Sequence, residues 1–220
     1  MKIYYLTPFL IFLTCSSGGE KRDPVLERKL ATEKILQEKI RIADESLKTQ
    51  NLNEEKKNEL LLEKSIALIE LEKYKEALKF LADILQTRSG IRTPHISFYV
   101  GLAYFYDKDF RKAIPFLIRS DKEEPNFESH KKRKILARAY FNEDQFGPGV
   151  AILGKASQDK SFAKDLEYYE MVSAGFFKMN LFQRSLPIAE EGLTKFPESK
   201  VLQEIKKDSL TNLEPKKSKS

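Results

Sequence analysis

The sequence predicts an all-α protein, an α-solenoid of four stacked helix hairpins with flanking, capping helices at its N- and C-terminal ends. Three observations predict it: a 36-residue internal repeat, small residues at fixed positions of that repeat, and apolar residues at helical spacing. One hairpin cannot bury both of its faces, whereas three or more stacked hairpins form a continuous core.

The repeat is visible in columns of residues that recur every 36 positions. One column is aromatic in every copy: Tyr74, Phe110, Phe146 and Phe182. Two columns are small in every copy: Ser65, Gly101, Ala137 and Ser173, and then Ala67, Ala103, Ala139 and Gly175. Helices approach closely only where side chains are small, so the small columns predict helix contacts and the aromatic residues fill the space between units.

Composition excludes several classes of protein. Of the 220 residues, 41% are hydrophobic and 33% are charged, which excludes a polytopic membrane protein and a chain disordered throughout. A single Cys forms no internal disulfide, and one Cys with two His argues against a metal site. The net charge of +6, from 39 basic and 33 acidic residues, is too small for a dense nucleic-acid-binding face.

The chain opens with the features of an export signal. Lys2 precedes an apolar stretch, Ile3 to Leu13, which is too short to span a bilayer and has the size of a signal-peptide core. The single cysteine, Cys15, stands where this stretch ends. The segment therefore looks like a bacterial lipoprotein signal, in which residues 1–14 are cleaved off and the Cys15 thiol is acylated.

Two alternatives stay open, because Phe12 and Thr14 depart from the usual residues of a lipoprotein cleavage site. They are a plain secretory signal and a membrane-tethering helix, each with an incidental cysteine. Residues 15–23, rich in Ser, Gly and charge, predict a flexible tether behind the anchor.

The remaining elements follow in order along the chain. Asp23-Pro24 begins an N-terminal helix over 24–50, since Asp caps a helix and Pro fits its first turn. The four repeat units are 58–93, 94–129, 130–165 and 166–201. Residues 198–213 predict a C-terminal capping helix, and 214–220 predict a disordered basic tail.

The hairpin pattern resembles the tetratricopeptide repeat, a family with small and aromatic residues in the first helix, an aromatic residue and Ala in the second, and Pro at the end of the unit. The second unit carries these matches: Gly101, Tyr104, Phe110, Ala113, Leu117 and Pro125. The resemblance covers 58–201. No unit has the family's Trp, and the third unit lacks the final Pro.

The resemblance implies a partner-binding groove, because exposed residues of the first helices line a concave surface in that family. The corresponding positions here are His95, Phe98, Leu102 and Tyr106 in the second unit, Lys131, Lys134, Arg138 and Asn142 in the third, and Glu167, Glu170, Ala174 and Lys178 in the fourth. An apolar and aromatic stretch would then adjoin a basic patch. Such a surface suits a peptide with an apolar anchor and an acidic group.

The run Lys131-Lys132-Arg133-Lys134 allows three interpretations. It is a solvated helix start, a site for a partner or anionic lipid, or a nucleic-acid signal. Four consecutive helical residues point around most of the circumference, so all four cannot face one groove. The exported location argues against nucleic acid as a partner.

No catalytic chemistry is predicted. The chain has no phosphate-binding glycine loop, no paired metal-ligand spacing and no nucleophile motif. His95 and His130 are read as surface or helix-end residues. We therefore expect a protein that is not an enzyme, with no catalytic residues, cofactor, metal or small-molecule substrate.

The predicted function is that of a membrane-anchored scaffold lipoprotein of the bacterial envelope, at the outer membrane and facing the periplasm or the surface. Its groove would bind a partner protein or peptide, as in an accessory subunit of an outer-membrane assembly or secretion machine. The alternative is an adaptor that docks peptidoglycan-handling enzymes. Both rest on architecture rather than on a residue set.

Overall fold

The computed structural model describes residues 23–49, 51–87 and 93–214. The predictions for the signal, for Cys15 and for nearly all of the tether and the tail lie outside the described residues. Within the described ranges the chain forms ten α-helices and no strand: α1 (Pro24–Leu47), α2 (Glu54–Glu70), α3 (Tyr74–Gln86), α4 (Ile96–Tyr106), α5 (Phe110–Glu123), α6 (Ser129–Asn142), α7 (Phe146–Ala156), α8 (Leu166–Lys178), α9 (Phe182–Lys195) and α10 (Lys200–Leu213).

The helices stack in chain order. Four hairpins follow one another, α2 with α3, α4 with α5, α6 with α7 and α8 with α9, and each hairpin packs on the next. The first helices also touch across units, since α2 contacts α4 and α4 contacts α6. α1 lies on α2 at one end, and α10 lies on α8 and α9 at the other. This row of first helices carries the surface described below.

The small columns lie at the helix contacts. All eight of their residues are buried. A Cβ atom on Gly101 would lie 2.7 Å from Leu117 Cγ, within the same hairpin. A Cβ atom on Gly175 would clash with Val150 Cγ2 and lie 2.8 Å from Phe141 Cζ, both in the preceding hairpin. Small residues therefore set the approach of helices both within and between units.

The turn inside each hairpin repeats with the same period. Glu72, Lys108, Asp144 and Asn180 all have positive φ, between 55° and 65°. In each turn the next residue donates its backbone N–H to a carbonyl five positions back, as Asp109 does to Tyr104 at 2.9 Å. This is the Schellman ending of a helix, which usually places Gly at the left-handed position. No Gly occurs there, so residue type alone did not reveal the motif.

Side-chain caps set the start of several helices. Asn53 accepts a hydrogen bond from the Lys56 backbone N at 2.7 Å, so α2 begins ahead of the unit boundary predicted at 58. Asp165 and Ser199 cap α8 and α10 in the same way. None of the helices in the described ranges combines the length and the hydropathy that crossing a bilayer requires.

Candidate functional site

Two adjoining clefts lie along the row formed by α2, α4 and α6. The first, the aromatic cleft, has a volume of about 460 Å³ and is lined by Ile66, Ile69, Glu70, Glu72, Tyr74, Phe98, Tyr99, Leu102, Tyr106, Glu128 and Lys131. The second, the basic cleft, has a volume of about 370 Å³ and is lined by Tyr106, His130, Lys131, Lys134, Ile135, Arg138, Ser161 and Ala163. Tyr106 and Lys131 line both, so the two clefts form one continuous groove.

Aromatic rings form the walls of the aromatic cleft. The rings of Tyr74 and Tyr106 stack with centroids 5.5 Å apart, across two successive units. Tyr106 keeps 41% of its surface exposed. Tyr99 meets Phe98 edge to face at 5.2 Å. An exposed aromatic wall of this kind offers ring faces and apolar area to a ligand.

Carboxylates flank these tyrosines. Burial raises the pKa of Tyr99, and the charges of Glu128 and Glu70 raise it further. Burial likewise raises the pKa of Tyr74, with Glu72 adding to the effect. Tyr74 and Tyr99 therefore stay neutral at physiological pH, and the carboxylates give the cleft around them a negative potential.

Most of the positive charge in the basic cleft is neutralised by acidic side chains of this chain. Lys134 pairs with Asp165, and Arg138 pairs with Glu167, so both of these cations of α6 meet an acid at the start of α8. His130 Nε2 lies 3.2 Å from Asp159 Oδ2. Hydrogen bonds from the Ser161 side chain and backbone and from His130 lower the pKa of Asp159 to about 2. The ion pairs of Lys134 and Arg138 tie α6 to the start of α8.

Lys131 is the exception among the basic residues of the groove. Its side chain is exposed and forms no ion pair with any described residue. Its Nζ lies 5.9 Å from the centroid of the Phe98 ring. Lys131 is therefore the groove cation that is available to a ligand.

The interpretation of the run 131–134 as a solvated helix start is wrong for Lys132. Its side chain has no exposed surface, and its Nζ donates to the carbonyl oxygens of Ser120 at 3.1 Å and Glu124 at 2.7 Å. These carbonyls lie at the C-terminal end of α5, where a cation complements the helix dipole. Burial lowers the pKa of Lys132.

Two predicted groove residues are buried rather than exposed. Phe98 and Leu102 keep only 1% and 5% of their surface exposed. They form the floor of the aromatic cleft because α4 is enclosed by α2, α5 and α6. Both contribute apolar shape to the groove rather than protruding contacts.

Two further predicted residues, His95 and Asn142, line neither cleft, and neither do the four predicted residues of the fourth unit. His95 takes a left-handed conformation just before α4, so its ring stacks on Phe127 at 3.6 Å, with Nδ1 3.1 Å from Glu124 Oε2. It lines a separate cavity of about 370 Å³ next to Thr93. Asn142, at the end of α6, donates from Nδ2 to the Arg138 carbonyl.

The prediction missed the contribution of the first unit. Ile66 and Glu70 stand 36 residues before Leu102 and Tyr106, so the same columns would have found them. Tyr74, Glu72 and Glu128 lie at helix ends and turns, and only the stacked fold brings them to the cleft.

Within the described ranges, no three His, Cys, Asp or Glu side chains are grouped to hold a metal ion.

Comparisons with known proteins agree on the fold. No protein-family model matches the sequence, and no curated protein matches it. Among solved structures, the tetratricopeptide-repeat protein YrrB, described as having an unusual peptide-binding site, is 16% identical with a TM-score of 0.64, over 82% of this chain and 88% of YrrB.

The name MamA recurs among the other similar structures. MamA from Desulfovibrio magneticus RS-1 is 18% identical with a TM-score of 0.60, over 84% of this chain and 93% of that one. MamA from AMB-1 is 13% identical with a TM-score of 0.63, and the match covers 81% of this chain and 93% of that one. The described helices thus form an α-solenoid of the tetratricopeptide type, as predicted.

Proposed function

We propose that this protein is a scaffold whose groove binds an extended segment of a partner protein, and that a lipid on Cys15 holds it at the bacterial envelope. The observation that carries the binding role is the continuous groove, where an exposed aromatic wall and the unpaired Lys131 adjoin. A trough that runs across three helices fits an extended chain better than a compact small molecule. The peptide-binding site described for YrrB supports this reading.

A pull-down with the tagged full chain tests the groove. We expect Tyr106→Ala to reduce recovery of the partner about tenfold, because it removes the exposed ring between the two clefts. Ile118→Ala is the matched control: Ile118 keeps 43% of its surface exposed, close to the 41% of Tyr106, but lies on α5 and lines neither cleft. Equal recovery with Tyr106→Ala and wild type would rule out the groove as the binding site.

The envelope role rests on the N-terminal sequence. Cys15 lies directly behind the apolar stretch Ile3 to Leu13, and two or more acyl chains hold a protein stably on a membrane. The first part of α1 agrees with a position near lipid, since Val25, Leu26 and Leu30 are exposed there. An accessory subunit of an outer-membrane assembly or secretion machine is the proposed context.

Substituting Cys15 tests the anchor. We expect Cys15→Ser to move the protein from the membrane fraction to the soluble fraction, and the wild-type precursor to accumulate when lipoprotein signal peptidase is inhibited. Ser16→Ala, the adjacent substitution, leaves the thiol in place and should leave the protein in the membrane fraction. A Cys15→Ser protein that still partitions with membranes, together with a wild-type precursor that does not accumulate under inhibition, would contradict acylation.

A further inference from the structure

The side-chain charges that line the aromatic cleft favour a positively charged ligand group. Three carboxylates line it, those of Glu70, Glu72 and Glu128. All three residues are exposed, and none forms an ion pair with a described residue. Among the described residues, Lys131 is the only cation that lines this cleft, and it pairs with none of these carboxylates. In contrast, Lys134 and Arg138 of the basic cleft both have acidic partners.

The carboxylates surround aromatic faces. Tyr74 and Tyr106 are stacked, and Tyr99 stands on the same wall. A ring face attracts a cation through its quadrupole, and a nearby carboxylate adds Coulomb attraction. Glu128 and Glu70 line the same cleft as Tyr99, and their charges contribute to the raised pKa of Tyr99.

We propose that the aromatic cleft takes a Lys or Arg side chain of the bound protein segment. The long apolar stem of such a side chain would lie over Leu102 and the tyrosine rings, and its charged head would lie among Glu70, Glu72 and Glu128. The sequence-based expectation was an apolar anchor and an acidic group. The proposal assigns a cationic anchor to this side of the groove.

This inference rests on the proposed function, so its test separates the two. A random dodecapeptide library is selected on the immobilised full chain, and selected peptides are resynthesised with each Lys or Arg replaced by Gln. We expect the selected peptides to contain Lys or Arg, and one of these replacements to weaken binding about tenfold. That replacement should have little effect on a variant carrying Glu70→Gln, Glu72→Gln and Glu128→Gln.

A matched variant controls for overall charge. Glu76→Gln, Glu198→Gln and Glu204→Gln remove the same charge from exposed residues that line neither cleft, and should leave the affinity unchanged. Peptides that need Tyr106 but bind without Lys or Arg, or bind equally to the cleft variant, would overturn the cationic anchor and leave the groove function standing. Failure to select any Tyr106-dependent peptide would overturn both.

Discussion

Replacing Gly175 with leucine is expected to lower the free energy of unfolding by about 3 kcal/mol, which corresponds to a fall in the melting temperature of roughly 6–12 °C. Gly175 lies on α8 where α8 meets the preceding unit. Even a Cβ atom there would clash with Val150 Cγ2 and lie 2.8 Å from Phe141 Cζ. A leucine side chain must therefore push α8 away from the third hairpin.

Gly154→Leu is the matched control for this prediction. A Cβ atom on Gly154, in α7, meets no heavy atom within 4 Å. Leucine also has a higher helix propensity than glycine, so this variant should be as stable as wild type or more stable by about 0.5–1 kcal/mol. Thermal unfolding followed by circular dichroism compares the two. Equal melting temperatures would mean that the units do not stack at Gly175.

Lys132→Glu is expected to destabilise the protein by roughly 4 kcal/mol or more. The side chain at 132 has no exposed surface and points at the carbonyl oxygens of Ser120 and Glu124. A carboxylate there would face these acceptors without a donor, and Asp121, 3.9 Å from Lys132 Nζ, would add like-charge repulsion.

The neighbouring residue supplies the control. Lys131→Glu makes the same chemical change at an exposed position without an ion pair, so it should alter stability by no more than about 0.5 kcal/mol. Urea unfolding measures both variants. If Lys132→Glu is as stable as Lys131→Glu, then Lys132 does not hold the end of α5.

The fold was predictable because its determinants are local and periodic. Ala103 and Gly175 are small in columns that recur through all four units, and both are buried as that pattern predicts. The left-handed turn residues were not predictable by type, because Glu72 and Lys108 occupy positions where Gly is usual. The regular hairpin geometry imposes that conformation on them.

The groove was predictable only in part, because its chemistry depends on contacts between units. Lys134 and Arg138 are cations in the sequence, but Asp165 and Glu167 at the start of α8 pair with them and neutralise their charges. Lys132 is buried because the C-terminal end of α5 lies beside α6. The spacing of residues in the sequence does not indicate this contact. His95 has a positive φ, and its side chain lines neither cleft of the groove.

Site-specific photocrosslinking in living cells tests the central claim most directly. The photoreactive residue p-benzoylphenylalanine replaces Tyr106 in the groove or Ile118 on α5, two positions of nearly equal exposure, 41% and 43%. We predict one discrete crosslinked protein from position 106, absent from position 118 and lost when Lys131→Glu is added. Equal crosslinking from both positions, or none from 106 while the partner still co-purifies, would contradict a protein-binding groove.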